Sequence, residues 1–275
     1  MKKINLLAAS VGVLSLLSCA SAGAESYLDE GATFEICADI SNEIRALDLL
    51  VDCGVIPSYE VDESGTPINL PKRIHLVDES LLVSSLADYD YGVIPCNTAL
   101  TGKLKAEKDL PSESDEVADL RANILAHNAA EFASNAEYRN KIAVLTEALL
   151  SQETASFIEQ RYSGVIKVEQ GDLRPIKEAA VSGSGVIKVC ASENPHKEIL
   201  ESSAVRNYVE SKGYTLSVTV LDWTMQNEAV AAKDYDANYF QHRPYLQTYN
   251  EHFDVVEPSA KVHFEPLRLY RGRGK

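Results

Sequence analysis

"GATFEICADISNEIRALDLLVDCG", residues 31–54, contains the pattern that decides the fold class. Its first part, 33–37, is a short apolar run of the kind that forms a buried parallel strand. Residues 42–53 then carry apolar side chains at helical spacing, and Gly54 follows as a natural C-terminal cap. A strand that leads directly into a helix indicates an α/β layer with a largely parallel sheet.

The same alternation of strands and helices continues along the chain in two blocks. Strand-like runs lie at 73–77, 91–94, 121–127, 186–191, 215–220 and 235–240. Residues 169–185, "EQGDLRPIKEAAVSGSG", separate the blocks and have the Gly, Ser, Pro and charged composition of a linker. We therefore predict two α/β lobes, 27–127 and 128–275, the second of which includes this linker.

Composition excludes several classes of function. The 275 residues carry a formal net charge of -15, which argues against a nucleic-acid partner because phosphate binding needs a basic face. The sequence contains no G-x-S-x-G or H-E-x-x-H motif and no phosphate-cradling glycine loop, so no enzyme is predicted. No cysteine pair has the C-x-x-C spacing of a zinc site, and no metal or other cofactor is indicated.

The first residues resemble an export signal. Lys2 and Lys3 precede an apolar stretch over 4–17, which is shorter than the roughly 20 residues that span a bilayer. The next residues, "LLSC" at 16–19, resemble a lipobox in which Cys19 becomes the lipidated first residue of the mature protein. We therefore predict a signal peptide over 1–19 and a lipoprotein anchored to the membrane of the cell envelope. The alternative is cleavage within "ASAGA", 20–24, and plain secretion.

Export also bears on the remaining cysteines, because thiols outside the cytoplasm tend to oxidise. Cys37 and Cys96 end the strand-like runs "ATFEIC" and "YGVIPC". If the two strands are neighbours, the sulfurs meet at one sheet edge and can form a disulfide. Two buried free thiols are an equally consistent interpretation.

Four stretches in the second half carry a resemblance to a known family. They are "IKVCASENPHKEIL" (187–200), "DWTMQNEAV" (222–230), "DANYFQHRPYL" (236–246) and "KVHFEPLRLY" (261–270). In this order they resemble the opening part of the NlpA-type methionine-binding lipoproteins, the substrate-binding components of bacterial ABC importers. The resemblance implies no enzymatic activity and a permease and an ATPase as partners.

The family's later part is similar to the first half of this chain. The matching stretches are "LDEGATFEICADISNEIRALDLL" (28–50), "DYDYGVIPCNTAL" (88–100) and "SQETASFIEQRYSGVI" (151–166). The resemblance thus implies a two-lobed periplasmic-binding-protein fold of type II in circularly permuted order, with a ligand cleft between the lobes. The hexapeptide "SGVIKV" occurs at 163–168 and again at 184–189, on either side of the linker, as a tandem duplication followed by trimming would leave it. A chain cut from a tandem array is the alternative origin.

The resemblance also implies the residues of an amino-acid site. Arg45 and Asn42, three residues apart on one helix face, would lie on one wall with Asn97. Tyr239, Phe240 and His242 would form the opposite wall. Arg45 would hold the ligand carboxylate, since a guanidinium donates two parallel hydrogen bonds. Asn97 would accept from the ammonium group, and the aromatic wall would contact a thioether, which makes methionine the expected free amino acid.

This sequence departs from the family pattern at several site positions. Ala38, Ile40 and Ile44 replace an asparagine, a proline and a glycine, and "PCN" at 95–97 replaces "NGN". Thr98 stands where the family has a tyrosine. These changes keep a second function open, that of a surface adhesin or scaffold on the same fold with altered or lost ligand binding.

Overall fold

The structure is a computed structural model that describes residues 26–115, 118–162, 165–173 and 180–272. The predicted signal peptide over 1–19, with Cys19, lies outside the described residues, as does 174–179 of the predicted linker. Within the described ranges no helix is long and apolar enough to cross a membrane.

Strands and short helices alternate over most of the described chain. The strands are β1 (Phe34–Cys37), β2 (Glu60–Val61), β3 (Pro67–Ile68), β4 (Ile74–Val77), β5 (Tyr91–Ile94), β6 (Ala122–Asn128), β7 (Lys167–Asp172), β8 (Gly185–Ala191), β9 (Tyr214–Val220), β10 (Ala237–His242), β11 (Val256–Phe264) and β12 (Arg268–Arg271). The helices are α1 (Ile40–Asp52), α2 (Leu82–Ser85), α3 (Cys96–Thr101), α4 (Ala118–Arg121), α5 (Ala129–Ser134), α6 (Ala136–Leu149), α7 (Gln152–Tyr162), α8 (Glu198–Leu200), α9 (Ser203–Ser211), α10 (Trp223–Ala231) and α11 (Arg243–Asn250).

The stretch that suggested the fold forms the predicted strand and helix. All four residues of β1 are buried. Asp39 caps the N-terminus of α1 by accepting from the backbone N–H of Asn42. At its C-terminus Gly54 takes a φ of 78°, a left-handed conformation that favours glycine. The local sequence therefore sets both ends of the helix that carries the predicted arginine.

The strands form two main sheets, one for each lobe. The smaller sheet has the order β12-β5-β1-β4, in which β1 is parallel to β4 and β5, and β12 is antiparallel to β5. The larger sheet has the order β7-β11-β6-β10-β8-β9 and is mixed, because β6 runs antiparallel to both β10 and β11. Separate apolar clusters pack against the two sheets, so each lobe has its own core.

Sheet membership differs from the predicted division of the chain at residue 127. β6, which we placed in the first lobe, lies in the larger sheet, and β12, which we placed in the second lobe, lies in the smaller sheet. The backbone therefore passes between the lobes twice, before β6 and after β11, and the predicted division at residue 127, which implies a single crossing, is wrong. The reason is the pairing of β12 with β5, which buries Leu269 in the core of the smaller lobe.

The two ends of the described chain meet at one edge of the smaller sheet. Gly272 donates its backbone N–H to the carbonyl oxygen of Asp90 at 2.8 Å, and Thr33 donates to the Asp90 carboxylate at 2.9 Å. The ring of Tyr27 packs edge-on against Tyr91, with centroids 6.4 Å apart. Segments from the start and end of one chain thus build one lobe, as the permuted order requires.

The predicted disulfide is not formed, although the strand neighbourhood was predicted correctly. β1 and β5 are adjacent, yet Cys37 and Cys96 are both free and buried. Cys37 packs in a cluster with Leu82 and Ile94, whereas Cys96 packs with residues of the larger lobe such as Leu125. Cys96 is the first residue of α3, beyond the end of β5, and its side chain turns away from that of Cys37.

Candidate functional site

A small polar cavity lies between the lobes, where β5, β10 and β11 end. Its walls are formed by Asn42, Arg45, Pro95, Asn97, Asn123, Trp223, Phe240, Gln241, His242, Tyr245 and Glu265. The space open to water is about 20 Å³, which holds about one water molecule. Ligands of open α/β sheets bind at such strand ends.

Five of the six predicted site residues line this cavity, and Tyr239 does not. Tyr239 packs in the core of the larger lobe with residues such as Leu125, and the ladder becomes irregular between Tyr239 and Gln241. Phe240 lines the cavity, while the buried Tyr239 hydroxyl hydrogen-bonds to Nδ1 of His263. The predicted aromatic wall is completed instead by Tyr245 and Trp223, which pack edge-on with their centroids 6.1 Å apart.

Arg45 is buried and is held by Glu113, which does not line the cavity, and by the backbone of Glu265. Its Nε donates to Glu113 Oε1 at 2.6 Å, and its Nη2 donates both to Glu113 Oε2 and to the backbone oxygen of Glu265. The Arg45 Nη1 group makes no hydrogen bond within the described residues. A charged donor without a hydrogen-bond partner among the described residues is therefore left on a residue of the cavity wall.

Asn42 and His242 join the two lobes across the cleft. The Nδ1 atom of His242 accepts from the backbone N–H of Tyr245 at 3.2 Å, so the proton lies on Nε2, which donates to Asn42 Oδ1 at 3.1 Å. The Asn42 amide nitrogen donates to Asp39 at 3.0 Å. Burial, assisted by the charges of Arg45 and Arg121, holds the pKa of His242 well below its usual value, so the bridge is neutral.

Asn97 is fixed by its own helix terminus. Its Oδ1 atom accepts from the backbone N–H of Thr98 at 2.8 Å, and its backbone N–H donates to Glu265 Oε2 at 3.0 Å. The oxygen expected to accept from a ligand ammonium is therefore already engaged. The Nδ2 group remains, and as a donor it suits a carboxylate oxygen.

Glu265 is the charged site residue that the sequence analysis missed, beside the unpredicted aromatic residues Trp223 and Tyr245. It follows β11 directly and is only 4% exposed. His263 lies 2.7 Å away through Nε2, and His196 lies 3.2 Å away through Nε2. Burial raises the pKa of Glu265, and the neighbouring His196, Arg45 and Asn97 N–H oppose that rise. The carboxylate is the acceptor in this cavity that an ammonium group would choose. Its signal in the sequence was an acidic residue at the end of an apolar strand in "KVHFEPL".

His196, His263 and Glu265 are close enough together to hold a metal ion, with ligand atoms within 4.8 Å. The hydrogen bonds give a different account of the cluster. The Tyr239 hydroxyl donates to His263 Nδ1, which leaves the proton on Nε2, and that N–H donates to Glu265. Burial lowers the pKa of both histidines to about 3, so both are neutral. The cluster is a chain of hydrogen bonds that holds the Glu265 carboxylate in place.

A second, wider chamber adjoins the cavity and shares Asn97 and Trp223 with it. Its volume is about 300 Å³, and carboxylates of both lobes line it: Glu79 from the smaller lobe, Glu193 and Asp222 from the larger. Burial raises the pKa of Glu79, and the nearby Asp78 and Asp222 add to the rise. The two cavities together give a cleft with a tight polar end and a wider acidic end.

This arrangement is that of the periplasmic-binding-protein fold, with two α/β lobes, two crossovers and a polar cleft between them. The chain belongs to the NlpA lipoprotein family, whose model matches residues 21–169 and 187–275. The gap between the matched segments, 170–186, coincides with the predicted linker, 169–185, to within one residue.

Individual relatives match shorter parts of the chain. The methionine-binding lipoprotein MetQ of Bacillus subtilis is 45% identical over 95 residues, 33% of this chain and 34% of that protein. The chain thus spans about a third of the length of this curated relative. A solved putative methionine-binding lipoprotein of Bacillus subtilis is 46% identical, covering 25% of this chain and 28% of that one, with a TM-score of 0.24. A solved putative lipoprotein of Ruminococcus gnavus is 47% identical with the same coverages and TM-score.

Proposed function

We propose that this protein captures a free amino acid, methionine before others, in the cleft between its lobes and delivers it to an ABC importer. The observation that carries the proposal is the buried guanidinium of Arg45, a residue of the cavity wall whose Nη1 group makes no hydrogen bond within the described residues. An unpaired charged donor on a buried side chain is costly, and a ligand carboxylate relieves that cost.

The remaining groups of the cavity complement the rest of an amino acid. Glu265 accepts from the ammonium group, opposite in charge to Arg45. Phe240, Tyr245 and Trp223 offer the aromatic surface that a thioether contacts favourably, worth about 0.3–1.5 kcal/mol. A ligand of this size needs a wider space than about 20 Å³, so binding requires the Asn42–His242 bridge to part and the lobes to open.

Calorimetry tests the proposal on protein that has been unfolded and refolded to remove carried-over ligand. Arg45→Lys keeps the positive charge but loses the planar guanidinium that donates two parallel hydrogen bonds. It should therefore weaken methionine binding by about 1.5–3 kcal/mol, or roughly ten- to a hundredfold. Arg73→Lys is the matched control, because Arg73 donates to backbone oxygens of the same lobe away from the cavity. Equal affinities of the two variants would remove Arg45 from the site.

One observation favours a second candidate, a scaffold or adhesin without a ligand. The cleft is nearly filled by its own side chains, and the Asn42–His242 hydrogen bond closes it. Stripped protein that releases no heat with any of the twenty amino acids would support this candidate over transport.

The family and the sequence "LLSC" further support attachment to the membrane through a lipid on Cys19, with a permease and an ATPase as partners. The attachment is tested by expressing and exporting the protein in cells that are fed labelled palmitate. The protein should carry the label, Cys19→Ala should not, and Cys53→Ala, a change at a half-buried thiol, should leave the label in place.

A further inference from the structure

Glu113 lies at the point where the two crossovers between the lobes meet. Its backbone N–H donates to the Leu267 oxygen at 2.9 Å, and the Leu267 N–H donates back to Glu113 Oε2 at 2.9 Å. Next to this pair, Leu269 donates to the Pro111 oxygen, and Ser112 bridges to Arg268. Residues 111–113 and 267–269 therefore form one hydrogen-bonded hinge from two distant parts of the chain.

From this hinge the Glu113 carboxylate reaches Arg45. It takes the side-on fork of the guanidinium, formed by Nε and Nη2, with both of its oxygens. Both side chains are nearly buried, at 4% and 9% exposure, so water does not weaken the pair. Glu113 does not line the cavity, whereas Arg45 does. The carboxylate thus binds Nε and Nη2 and leaves Nη1 without a hydrogen bond within the described residues.

We propose that Glu113 is the positioning residue of the binding site: it fixes the Arg45 guanidinium to the hinge so that Nη1 meets the carboxylate of the bound amino acid. This role rests on the proposed function. An arginine side chain has many rotamers, and a bidentate partner removes that freedom before the ligand arrives. Because Glu113 is bonded to both crossovers, opening of the hinge and orientation of Arg45 are coupled.

A competing role predicts the opposite effect. If Glu113 only neutralises Arg45 in the empty protein, its negative charge opposes the ligand carboxylate, and removing that charge should strengthen binding. The two roles are distinguished by the sign of the change in affinity.

The test compares Glu113→Gln, Glu113→Asp and the control Glu107→Gln by calorimetry with L-methionine and with L-methioninamide, which lacks the carboxylate. Glu107 lies in the same segment and pairs with the exposed side of Arg271, outside the hinge and the cavity. Glu113→Gln should lower the affinity for methionine about tenfold or more and change that for the amide less than twofold. Glu113→Asp, which keeps the charge and is one methylene shorter, should fall between, and the control should match the parent protein.

Tighter methionine binding by Glu113→Gln would establish the competing role and overturn the proposal. An equal loss for both ligands would reduce Glu113 to a structural residue and overturn it as well.

A second measurement needs no ligand. In ¹H–¹⁵N spectra the Nε–H of Arg45 should exchange slowly with water in the parent protein and in Glu107→Gln, and rapidly in Glu113→Gln. Slow exchange in all three would overturn the positioning role. If the parent protein binds no methionine, the proposed function fails, while the Nε–H measurement still decides whether Glu113 holds Arg45.

Discussion

Each lobe buries a glutamate, and the two carboxylates have different surroundings. Glu35, in the middle of β1, is fully buried and accepts a hydrogen bond from Ser85 through one oxygen. Its other oxygen has no partner within the described residues. Glu265, at the end of β11, accepts from Asn97 through one oxygen and from His263 through the other. Burial raises the pKa of both groups, that of Glu35 to about 7.

The comparison teaches that a raised pKa does not by itself mark a site. Burial disfavours the charged form of Glu35, and few hydrogen bonds offset that cost. Glu35 lines neither of the two cavities described above. Glu265 faces a cavity and has donors arranged around both oxygens, so its position is specified by the fold. Geometry around the carboxylate, and not its burial, separates the functional candidate from the structural one.

The largest effect on stability is expected at Glu265, because hydrogen-bond donors surround both oxygens of this carboxylate. In the parent protein the Asn97 N–H and the His263 N–H each donate to one of the two Glu265 oxygens. Glu265→Gln keeps one acceptor oxygen, and its amide N–H₂ must face the other of these two donors. A lost hydrogen bond and a buried donor without an acceptor should lower the free energy of unfolding by about 2–4 kcal/mol. Urea unfolding at pH 7 measures it. A variant as stable as the parent would show that the donors around Glu265 contribute nothing.

The same two regions show what sequence patterns can and cannot predict. The strand and helix over 31–54 follow from local periodicity and caps, so they were predicted correctly. Family motifs brought Arg45, Asn42, Asn97, Phe240 and His242 to one cavity, because strand order places their ends together. Glu113 was not predicted. It belongs to a polar stretch that resembles a plain surface loop, and its hinge partner Leu267 lies 154 residues further along the chain.

Tyr239 and β12 failed for different physical reasons. Tyr239 was assigned to the cleft with its neighbour Phe240, although Tyr239 packs in the core of the larger lobe, before the irregularity in β10 that brings the next residues to the cavity. β12 was assigned to the lobe of the residues that precede it, whereas its pairing with β5 joins Arg268 to Ile94, far apart along the chain. Contacts at long sequence separation carry no local pattern that a sequence alone reveals.

A smaller effect of opposite sign is expected at Glu35. Because its pKa is raised from 4.5 to about 7, the native state holds the proton more tightly than the unfolded state does. Its contribution is present below pH 4.5 and is lost as the pH rises through 7. Glu35→Gln removes the ionisation and should therefore stabilise the protein by about 1–3 kcal/mol at pH 8, and by little at pH 4.

Urea unfolding of Glu35→Gln and the parent protein at pH 4, 6 and 8 measures this difference. The gap between the two should widen with pH. A variant less stable than the parent at pH 8 would mean that the Ser85 hydrogen bond outweighs the burial of the charge, and the contrast with Glu265 would disappear.

The smallest effect is expected for two cysteines. Like the two glutamates, they lie in different cores. Cys37 and Cys96 lie in different apolar clusters, and burial raises the pKa of each thiol to about 12, which leaves almost no reactive thiolate at neutral pH. Adding dithiothreitol to the exported protein should therefore change its Tm by less than about 1 °C. A disulfide between them would close a loop worth about 4 kcal/mol in the chain-entropy model, and its reduction would lower Tm by several degrees.

Thiol titration in denaturant is the second readout: Cys37, Cys53, Cys96 and Cys190 should all react without prior reduction. A deficit of two thiols together with the Tm drop would place the two sulfurs in contact and would contradict the separation of the two cores.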